Sequence, residues 1–226
     1  MKRLVLAGLF AFAVVVPALA ADLPPAAPRA PATYYAPPVV APVYNWGGFY
    51  FGPNVGYGFG QTDWTGTGGG TTGNFNVNGF IVGGTVGANF QADAWVFGVE
   101  ADFDGSWIDG KNTSVCVVQC ETKNTWLATA RLRVGYAADR VLFYATGGGA
   151  FGNIEVNTAP TFQSTSKGGW TAGGGVEWAF TDVLTARVEY LFVDLQNASF
   201  TPPGFGTVTV KWDANLIRFG LDYKFR

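Results

Sequence analysis

Apolar side chains recur at every second position in one segment after another from Trp46 onward, and this alternation most constrains the fold. In residues 126–136, apolar side chains fill the even positions, whereas Arg131 and Arg133 fill odd ones. The same pattern recurs in residues 49–59, 95–103, 170–180 and 184–192. Because a β-strand has a period of two residues, the sequence predicts an all-β chain with eight strands and no helix. The remaining strands include residues 77–90 and 141–153, where small residues occupy both faces and the facing stays open.

The predicted connections between strands alternate in length. Short turns are predicted at residues 91–94, 138–140 and 181–183, and long loops at residues 61–76, 107–123, 155–167 and 196–210. An even number of antiparallel strands that closes into a barrel gives this arrangement, with both chain ends on the side of the short turns. Outer-membrane barrels have short periplasmic turns and longer extracellular loops.

The direction in which the apolar faces point separates a membrane barrel from a soluble ligand-binding barrel. A soluble barrel needs a charged exterior, but only 13% of the residues are charged, against about 25% in ordinary globular domains. The polar faces carry mostly Gly, Thr and Asn, which fit the narrow lumen of eight strands. The sequence therefore predicts an eight-stranded antiparallel up-and-down transmembrane β-barrel. Aromatic girdles at its two interfaces are predicted from Trp46, Tyr50, Trp95, Trp107, Trp126, Tyr136, Trp170, Trp178, Tyr190, Trp212 and Tyr223.

The first 45 residues have a different composition. Lys2 and Arg3 precede an apolar run that ends in small residues, which predicts a secretory signal over residues 1–20, cleaved between Ala20 and Ala21. The run is shorter than the roughly 20 residues that a membrane anchor needs. Residues 21–45 are rich in proline and predict a periplasmic spacer, with binding of a periplasmic partner as the alternative. The barrel is assigned to residues 46–226.

Three segments carry a resemblance to a known family: residues 45–52 (NWGGFYFG), residues 141–148 (VLFYATGG) and residues 187–190 (RVEY). The chain resembles the small outer-membrane β-barrel proteins of alphaproteobacteria, a porin family of opacity-protein-like, OmpA-type eight-stranded barrels. Residues 218–225 (RFGLDYKF) are similar to the assembly signal of such barrels, carried here by Gly220, Tyr223 and Phe225. The chain departs from that signal because Arg226 follows the last aromatic residue.

The resemblance implies a protein of the Gram-negative outer membrane with a structural and surface-contact role in the cell envelope. Its implied partners are outer-membrane lipid and lipopolysaccharide, the barrel assembly machinery and periplasmic chaperones during biogenesis, and a host or surface ligand at the loops. Nucleic acid is excluded, since the formal net charge is −2 and phosphate binding requires a basic surface. The chain has no His, the commonest general base and metal ligand, so neither enzymatic activity nor a cofactor is predicted. A narrow porin-like channel through the lumen is the alternative function.

Charged residues on the polar faces predict a network in the lumen. It comprises Glu100, Arg131, Arg133, Glu177, Arg187, Glu189 and Arg218. Antiparallel neighbours would place Glu100 beside Arg131 or Arg133, Glu177 beside Arg187, and Glu189 beside Arg218. An arginine neighbour keeps a carboxylate ionised, which makes it a poor acid catalyst. A structural ion-pair network is therefore favoured over a gated channel and over a catalytic site.

The chain contains two further motifs of types that can carry chemistry. Cys116 and Cys120 lie in a predicted loop and predict a disulfide in an oxidising compartment, with two free thiols as the alternative. The pattern GxGxxG occurs at residues 68–73 and 147–152. Neither copy opens a helix, so the context of dinucleotide binding is missing.

Overall fold

The computed structural model describes residues 44–68, 70–112, 120–158, 161–201 and 206–225. Its strands are β1 (Gly48–Gly66), β2 (Phe75–Ala92), β3 (Trp95–Asn112), β4 (Cys120–Ala138), β5 (Val141–Thr158), β6 (Thr161–Ala179), β7 (Leu184–Phe200) and β8 (Val208–Lys224). Each strand pairs antiparallel with the next, and β8 pairs with β1 to close the barrel. The predicted eight-stranded antiparallel barrel is confirmed. No helix in the described part of the chain is long and apolar enough to cross a membrane.

The two ends of the barrel differ in their connections. At the turn end, β2 and β3 are joined by residues 93–94, β4 and β5 by residues 139–140, and β6 and β7 by residues 180–183. Asp93 and Asp139 each have a φ of 52° in these turns, a left-handed conformation that Asp tolerates better than most residues. The other four connections lie at the opposite end, called the loop end.

A belt of outward apolar side chains surrounds the half of the barrel nearer the turn end. In β1 it runs from Phe49 to Phe59, which is close to the 9–11 residues that a tilted strand needs to cross a bilayer. The alternating faces predicted for residues 49–59, 95–103, 126–136, 170–180 and 184–192 agree with the structure. The structure also shows which faces of β2 and β5 point outward, which the sequence did not predict. Phe80 and Phe90 of β2 and Phe143 and Phe151 of β5 are on the outer surface.

Beyond the belt, the strands continue toward the loop end and their polarity is reversed. In β1 the outward positions carry Gln61 and Asp63, while Trp64 points inward and is buried. The four loops predicted at this end were too long, because β1 continues to Gly66 and β3 to Asn112. A barrel wall surrounded by water needs polar side chains outside and apolar ones inside, so the pattern that marks the belt does not extend into this region. We call this part of the barrel, beyond the belt, the extension.

Three of the aromatic residues assigned to the girdles lie inside the barrel, so that part of the prediction was wrong. Trp46 precedes β1 and is 1% exposed, Tyr50 lies on the inward face of β1, and Trp212 lies on the inward face of β8. The reason for Trp212 is the reversed polarity of the extension. The girdle assignment holds for outward aromatics such as Trp95, Trp178 and Tyr223, which are exposed at the edges of the belt.

One seam of the wall is incomplete in the extension. Cross-strand pairing of β6 with β7 ends at Trp170 and Asp194, although β6 begins at Thr161 and β7 ends at Phe200. Both strands remain paired on their other sides, with β5 and with β8. A hydrogen bond of 3.1 Å from Gln163 Nε2 to the backbone oxygen of Thr201 bridges the gap near its tip.

The barrel wall curves so tightly that several inward positions accept only glycine. A Cβ atom added at Gly173 would lie 2.0 Å from the backbone oxygen of Tyr190, a distance that real Cβ atoms do not show. The outward glycine Gly147 has its nearest neighbouring atom at 3.5 Å from such a Cβ. Tyr190 lies on the neighbouring strand β7, so the tight curvature of an eight-stranded wall brings adjacent backbones too close for a Cβ atom at this inward position.

Candidate functional site in the barrel interior

Three groups of buried side chains follow one another along the barrel axis. The middle group, here the charged layer, consists of Glu100, Asp102, Asp104, Arg131, Arg133, Glu177, Arg187, Glu189, Arg218 and Asp222, all buried. All seven residues predicted for the lumen network lie in this layer. The strands place them there because each occupies an inward position of the alternating pattern.

Arg131 lies at the centre of the charged layer and contacts three carboxylates. It is the cross-strand neighbour of Glu100, with which it forms a very short ion pair. Its guanidinium nitrogens also lie 2.7 Å from Asp102 and 2.8 Å from Glu189. A guanidinium has five N–H donors in a fixed plane, which allows one arginine to join acids from different strands.

The partner of Glu177 differs from the predicted one. Glu177 and Arg187 are cross-strand neighbours, but Glu177 accepts a hydrogen bond of 2.7 Å from Arg133 instead. Arg187 lies 3.2 Å from Glu100 and 3.4 Å from Asp222. In a narrow lumen, inward side chains reach across the barrel, so strand adjacency alone does not determine the ion pairs.

Arg218 and Glu189 form an ion pair as cross-strand neighbours, in the arrangement the spacing predicted. Arg218 also lies 3.2 Å from Asp102 and 3.1 Å from Asp104. Asp102, Asp104 and Asp222 were not among the residues predicted for the network. Their signal was available, because Asp102 and Asp104 share a face with Glu100, and Asp222 shares a face with Arg218.

Hydroxyl groups complete the charged layer. Tyr50 donates a hydrogen bond of 2.6 Å to Glu100, and Tyr144 donates one of 3.1 Å to Glu189. The guanidinium of Arg133 stacks over the ring of Tyr144 with its carbon 4.0 Å from the ring centre, a favourable cation–π arrangement. Thr129 donates a hydrogen bond of 2.6 Å to Asp102.

An apolar layer fills the interior of the extension, on the loop side of the charged layer. Its members are Trp64, Phe75, Val77, Ile81, Ile108, Leu127, Ala150, Ile154, Val156, Leu191, Val193, Leu195, Ala198, Phe200, Val210, Trp212, Ala214 and Leu216. Ile81, Ile108 and Leu127 are fully buried. This layer separates the charged layer from the loop end with a packed hydrophobic core.

Residues 44–47, here the plug, close the turn end. The indole Nε1 of Trp46 donates a hydrogen bond of 3.0 Å to the backbone oxygen of Asp139, and its backbone N–H donates one of 2.6 Å to Gln91. Trp46 packs with Leu142 and Tyr144 in a second buried apolar cluster. Lys224 donates a very short hydrogen bond to the backbone oxygen of Asn45, which joins the plug to β8.

The remaining predicted sites are the disulfide, the signal cleavage site and the assembly signal in the last strand. Cys116, like Ala20 and Ala21, lies outside the described residues, and Cys120 begins β4, so the disulfide and the cleavage site stay predictions. Tyr223 and Phe225 point outward at the turn end and stack around Phe51. Gly220 points inward, where an added Cβ would lie 2.7 Å from Nε of Arg187.

The chain matches the family described as the outer membrane protein β-barrel domain over residues 9–225. This chain belongs to the outer-membrane β-barrel family. Among its relatives, the 25 kDa outer-membrane immunogenic protein of Brucella canis is 36% identical over 190 residues, which cover 84% of each chain. The 31 kDa outer-membrane immunogenic protein of Brucella melitensis biotype 1 is 32% identical over 248 aligned positions that cover all of both chains. In fold, the chain is similar to the outer membrane protein OprG from Pseudomonas aeruginosa, with a TM-score of 0.52, 13% identity and coverage of 82% of this chain and all of that one.

Membership of the outer-membrane β-barrel family places the protein in the Gram-negative outer membrane. The apolar belt of this outer-membrane barrel therefore faces lipid. In such barrels the short turns are periplasmic and the longer loops extracellular, so the turn end faces the periplasm and the loop end the cell exterior. The extension, with its polar outer surface, lies on the outside of the cell.

Proposed function

We propose that the protein is a non-enzymatic structural barrel of the cell envelope that carries contact surfaces on its extension and loops. The observation that supports this function most directly is the closure of the lumen at three levels. The apolar layer, the charged layer and the plug each fill the cross-section with buried side chains. A solute would have to displace a hydrophobic core, a network of ion pairs and a buried tryptophan.

The charged layer supports a structural role over a catalytic one. Glu100, Asp102 and Glu189 each lie within ion-pair distance of at least two arginines. A carboxylate that acts as a general acid must carry a proton at the working pH, whereas arginine neighbours favour the ionised form. Such a network joins distant strands across the lumen and stabilises the barrel against deformation.

The proposed partners follow from the two ends. The last strand presents Gly220, Tyr223 and Phe225 in the spacing that resembles the assembly signal, so we assign it to recognition by the barrel assembly machinery after delivery by periplasmic chaperones. Contact with a host or another surface is assigned to the loop end, on the cell-exterior side of the lipid-facing belt.

Single-channel recording in a planar bilayer tests the closed lumen. We expect no conductance steps from the refolded wild-type protein, nor from Trp46→Ala, because the charged and apolar layers still close a barrel without its plug. The mobility shift between unheated and heated samples on a gel confirms that each sample is folded. Stable steps that change in size in Arg218→Ala would contradict the proposal and identify a narrow channel past the charged layer.

A further inference from the structure

The barrel wall is open between β6 and β7 in the extension. Cross-strand pairing ends at Trp170 and Asp194, and Gln163 and Thr201 each lie seven residues beyond that pair. In a continuous sheet these two residues would be direct partners, but here the side-chain amide of Gln163 donates a hydrogen bond of 3.1 Å to the backbone oxygen of Thr201. Paired strands lie only about 4.8 Å apart, so a gap that a glutamine side chain bridges is wider than one strand spacing. We call this gap the open seam, with residues 161–169 of β6 and 195–200 of β7 as its edges.

The two edges of the open seam differ as templates for hydrogen bonding. The register of β7 with β8 shifts between Asp194 and Asn197, which defines a β-bulge, and Gln196 inside the bulge has a φ of 59°. The backbone N–H of Gln196 already donates a hydrogen bond of 2.7 Å to the carboxylate of Asp194. In contrast, β6 pairs with β5 in one unbroken register along the whole seam. The free edge of β6 therefore presents a regular row of unpaired backbone donors and acceptors, which is a template for an added strand.

The inner face of β6 is polar along the open seam. Gln163, Thr165 and Lys167 occupy its inward positions and are half-buried. The cross-strand partners of Gln163 and Thr165 on β5 are Val156 and Ile154, which belong to the apolar layer. An apolar row would be expected on β6 as well if this strand were sealed against β7, so the polar row marks a gap that water enters.

Lys167 is the charged residue of this polar row. Within the described ranges, no ion pair or hydrogen bond joins its ammonium group to another residue. An inward charge on an edge strand prevents pairing with any strand that would bury the charge without neutralising it. A strand that brings a carboxylate to the same place does neutralise it. Lys167 therefore excludes most strands from the seam and selects one of complementary charge.

We infer that the open seam binds an extended acidic segment of a partner protein outside the cell. The segment pairs antiparallel with residues 161–169, the more stable of the two pairing directions, and places a carboxylate beside Lys167. A second copy of this chain does not fit, because its free edges, residues 161–169 and 195–200, contain no carboxylate. The inference rests on the contact role proposed above for the extension and specifies one partner for it.

Fluorescence anisotropy with the refolded protein in detergent tests the inference. The probes are three labelled peptides of alternating Thr and Val, equal in length to the 161–169 edge, that differ only at the third residue, which is Glu, Gln or Lys. In antiparallel pairing with this edge, the third residue is the direct partner of Lys167 and faces inward with it. Two further forms of the Glu peptide are N-methylated at the even or at the odd residues, which removes the N–H donors of one edge.

Two charge-reversal variants accompany the peptides. Lys167→Glu changes the charge inside the seam. Lys111→Glu is the matched control, because Lys111 is an exposed lysine on the outer surface of β3, away from the seam. The gel mobility shift shows that each variant is folded.

We expect the Glu peptide to bind the wild-type protein at least about tenfold more tightly than the Gln or Lys peptide, because only Glu forms a half-buried charge pair with Lys167. Lys167→Glu should reverse the preference in favour of the Lys peptide, whereas Lys111→Glu should bind like the wild type. One of the two methylated peptides should no longer bind, since the added strand is held by backbone hydrogen bonds to β6.

Equal binding of the three peptides, or binding of none, would overturn the inference. Binding of both methylated peptides would overturn it in favour of charge attraction without strand addition. A wild-type dimer in sedimentation that excludes the Glu peptide would overturn it in favour of a second copy in the seam. The bilayer recording tests the closed lumen separately, so failure of the peptide assay alone would remove this partner and leave the structural barrel.

Discussion

The indole N–H of Trp46 is hydrogen-bonded to the backbone oxygen of Asp139, 93 positions away in the chain. This bond fixes the segment before β1 to the turn between β4 and β5. Together with the contact of Lys224 with Asn45, it ties the first residues of the barrel to its last strand and to a distant hairpin. The barrel is thereby closed at its periplasmic mouth as well as along its wall.

Trp46→Ala should lower the free energy of unfolding by about 3–5 kcal/mol, since it removes a fully buried tryptophan and leaves a cavity. The measurement is urea unfolding in detergent, followed by the gel mobility shift. Trp95→Ala is the control, because Trp95 is exposed on the outer surface, and we expect less than half of that effect. Equal effects of the two substitutions would show that the plug does not stabilise the barrel.

Arg131→Leu should cost about 3–5 kcal/mol, because it leaves Glu100, Asp102 and Glu189 buried with one counter-charge fewer. Lys111→Leu is the comparison, since the ion pair of Lys111 with Glu121 spans 3.3 Å and its lysine is half exposed. An exposed pair contributes at most about 1 kcal/mol. The same unfolding experiment applies, and an unchanged midpoint for Arg131→Leu would show that the charged layer does not stabilise the barrel.

Alanine at two glycine positions should give opposite results. Gly173→Ala forces a Cβ against the backbone oxygen of Tyr190 and should destabilise the barrel by about 1–3 kcal/mol or prevent closure. Gly147→Ala has room outside and should be neutral, or more stable by about 0.5–1 kcal/mol, because alanine restricts the unfolded chain. The folded fraction after refolding measures both. Normal folding of Gly173→Ala would show that β6 and β7 are less closely apposed at this position.

Lysine scanning along one strand should locate the lipid boundary. Leu132→Lys places a charge in the middle of the belt on β4 and should cost about 2–4 kcal/mol. Thr125→Lys lies on the same strand in the extension, where the outer surface is polar, and should leave stability nearly unchanged. A large effect of Thr125→Lys in lipid vesicles would place the outer interface further toward the loop end.

Asp213 should make stability depend on pH in an unusual direction. Its pKa is raised by burial and by Asp194, so its contribution to stability is fully present below the unfolded pKa of about 3.9 and is lost as the pH rises through the folded pKa. Asp213→Asn should therefore have a higher unfolding midpoint than the wild type at pH 7, with no difference near pH 3. A lower midpoint for the variant at pH 7 would contradict the raised pKa.

The sequence predicted the strand number, the facing of five strands and seven of the ten residues of the charged layer, because each depends on a period of two. It could not predict where the strands end. In β7, Tyr190 and Phe192 point outward while Leu191 and Val193 point inward, so apolar residues occupy both faces and the alternation disappears. The bulge after Asp194 then shifts the inward positions to Ala198 and Phe200. Neither the loss of alternation nor the shift at the bulge can be predicted from the local sequence pattern.

The ion pairs were likewise predictable between neighbouring strands but not across the lumen. Strand adjacency predicted that Glu100 contacts Arg131 or Arg133 and that Glu189 contacts Arg218, and Glu100 lies within ion-pair distance of both arginines. It could not predict that Glu177 binds Arg133, because that contact depends on the width of the lumen and on the rotamers of long side chains. The role of Trp46 was likewise missed, since a single aromatic residue before a strand has no periodic signal.

The unpaired stretch between β6 and β7 makes the outer part of this protein an open sheet rather than a ring. A ring transmits strain around its circumference, whereas an open sheet can bend at its edges while its middle keeps its shape. The amide hydrogens of residues 164–169 and 197–200 that point into this gap should consequently exchange with solvent much sooner than those in the lipid-spanning halves of the same strands, whereas the amides bonded to β5 or β8 stay protected. The same strands thus form a closed, rigid barrel in the membrane and a more deformable extension at the cell surface.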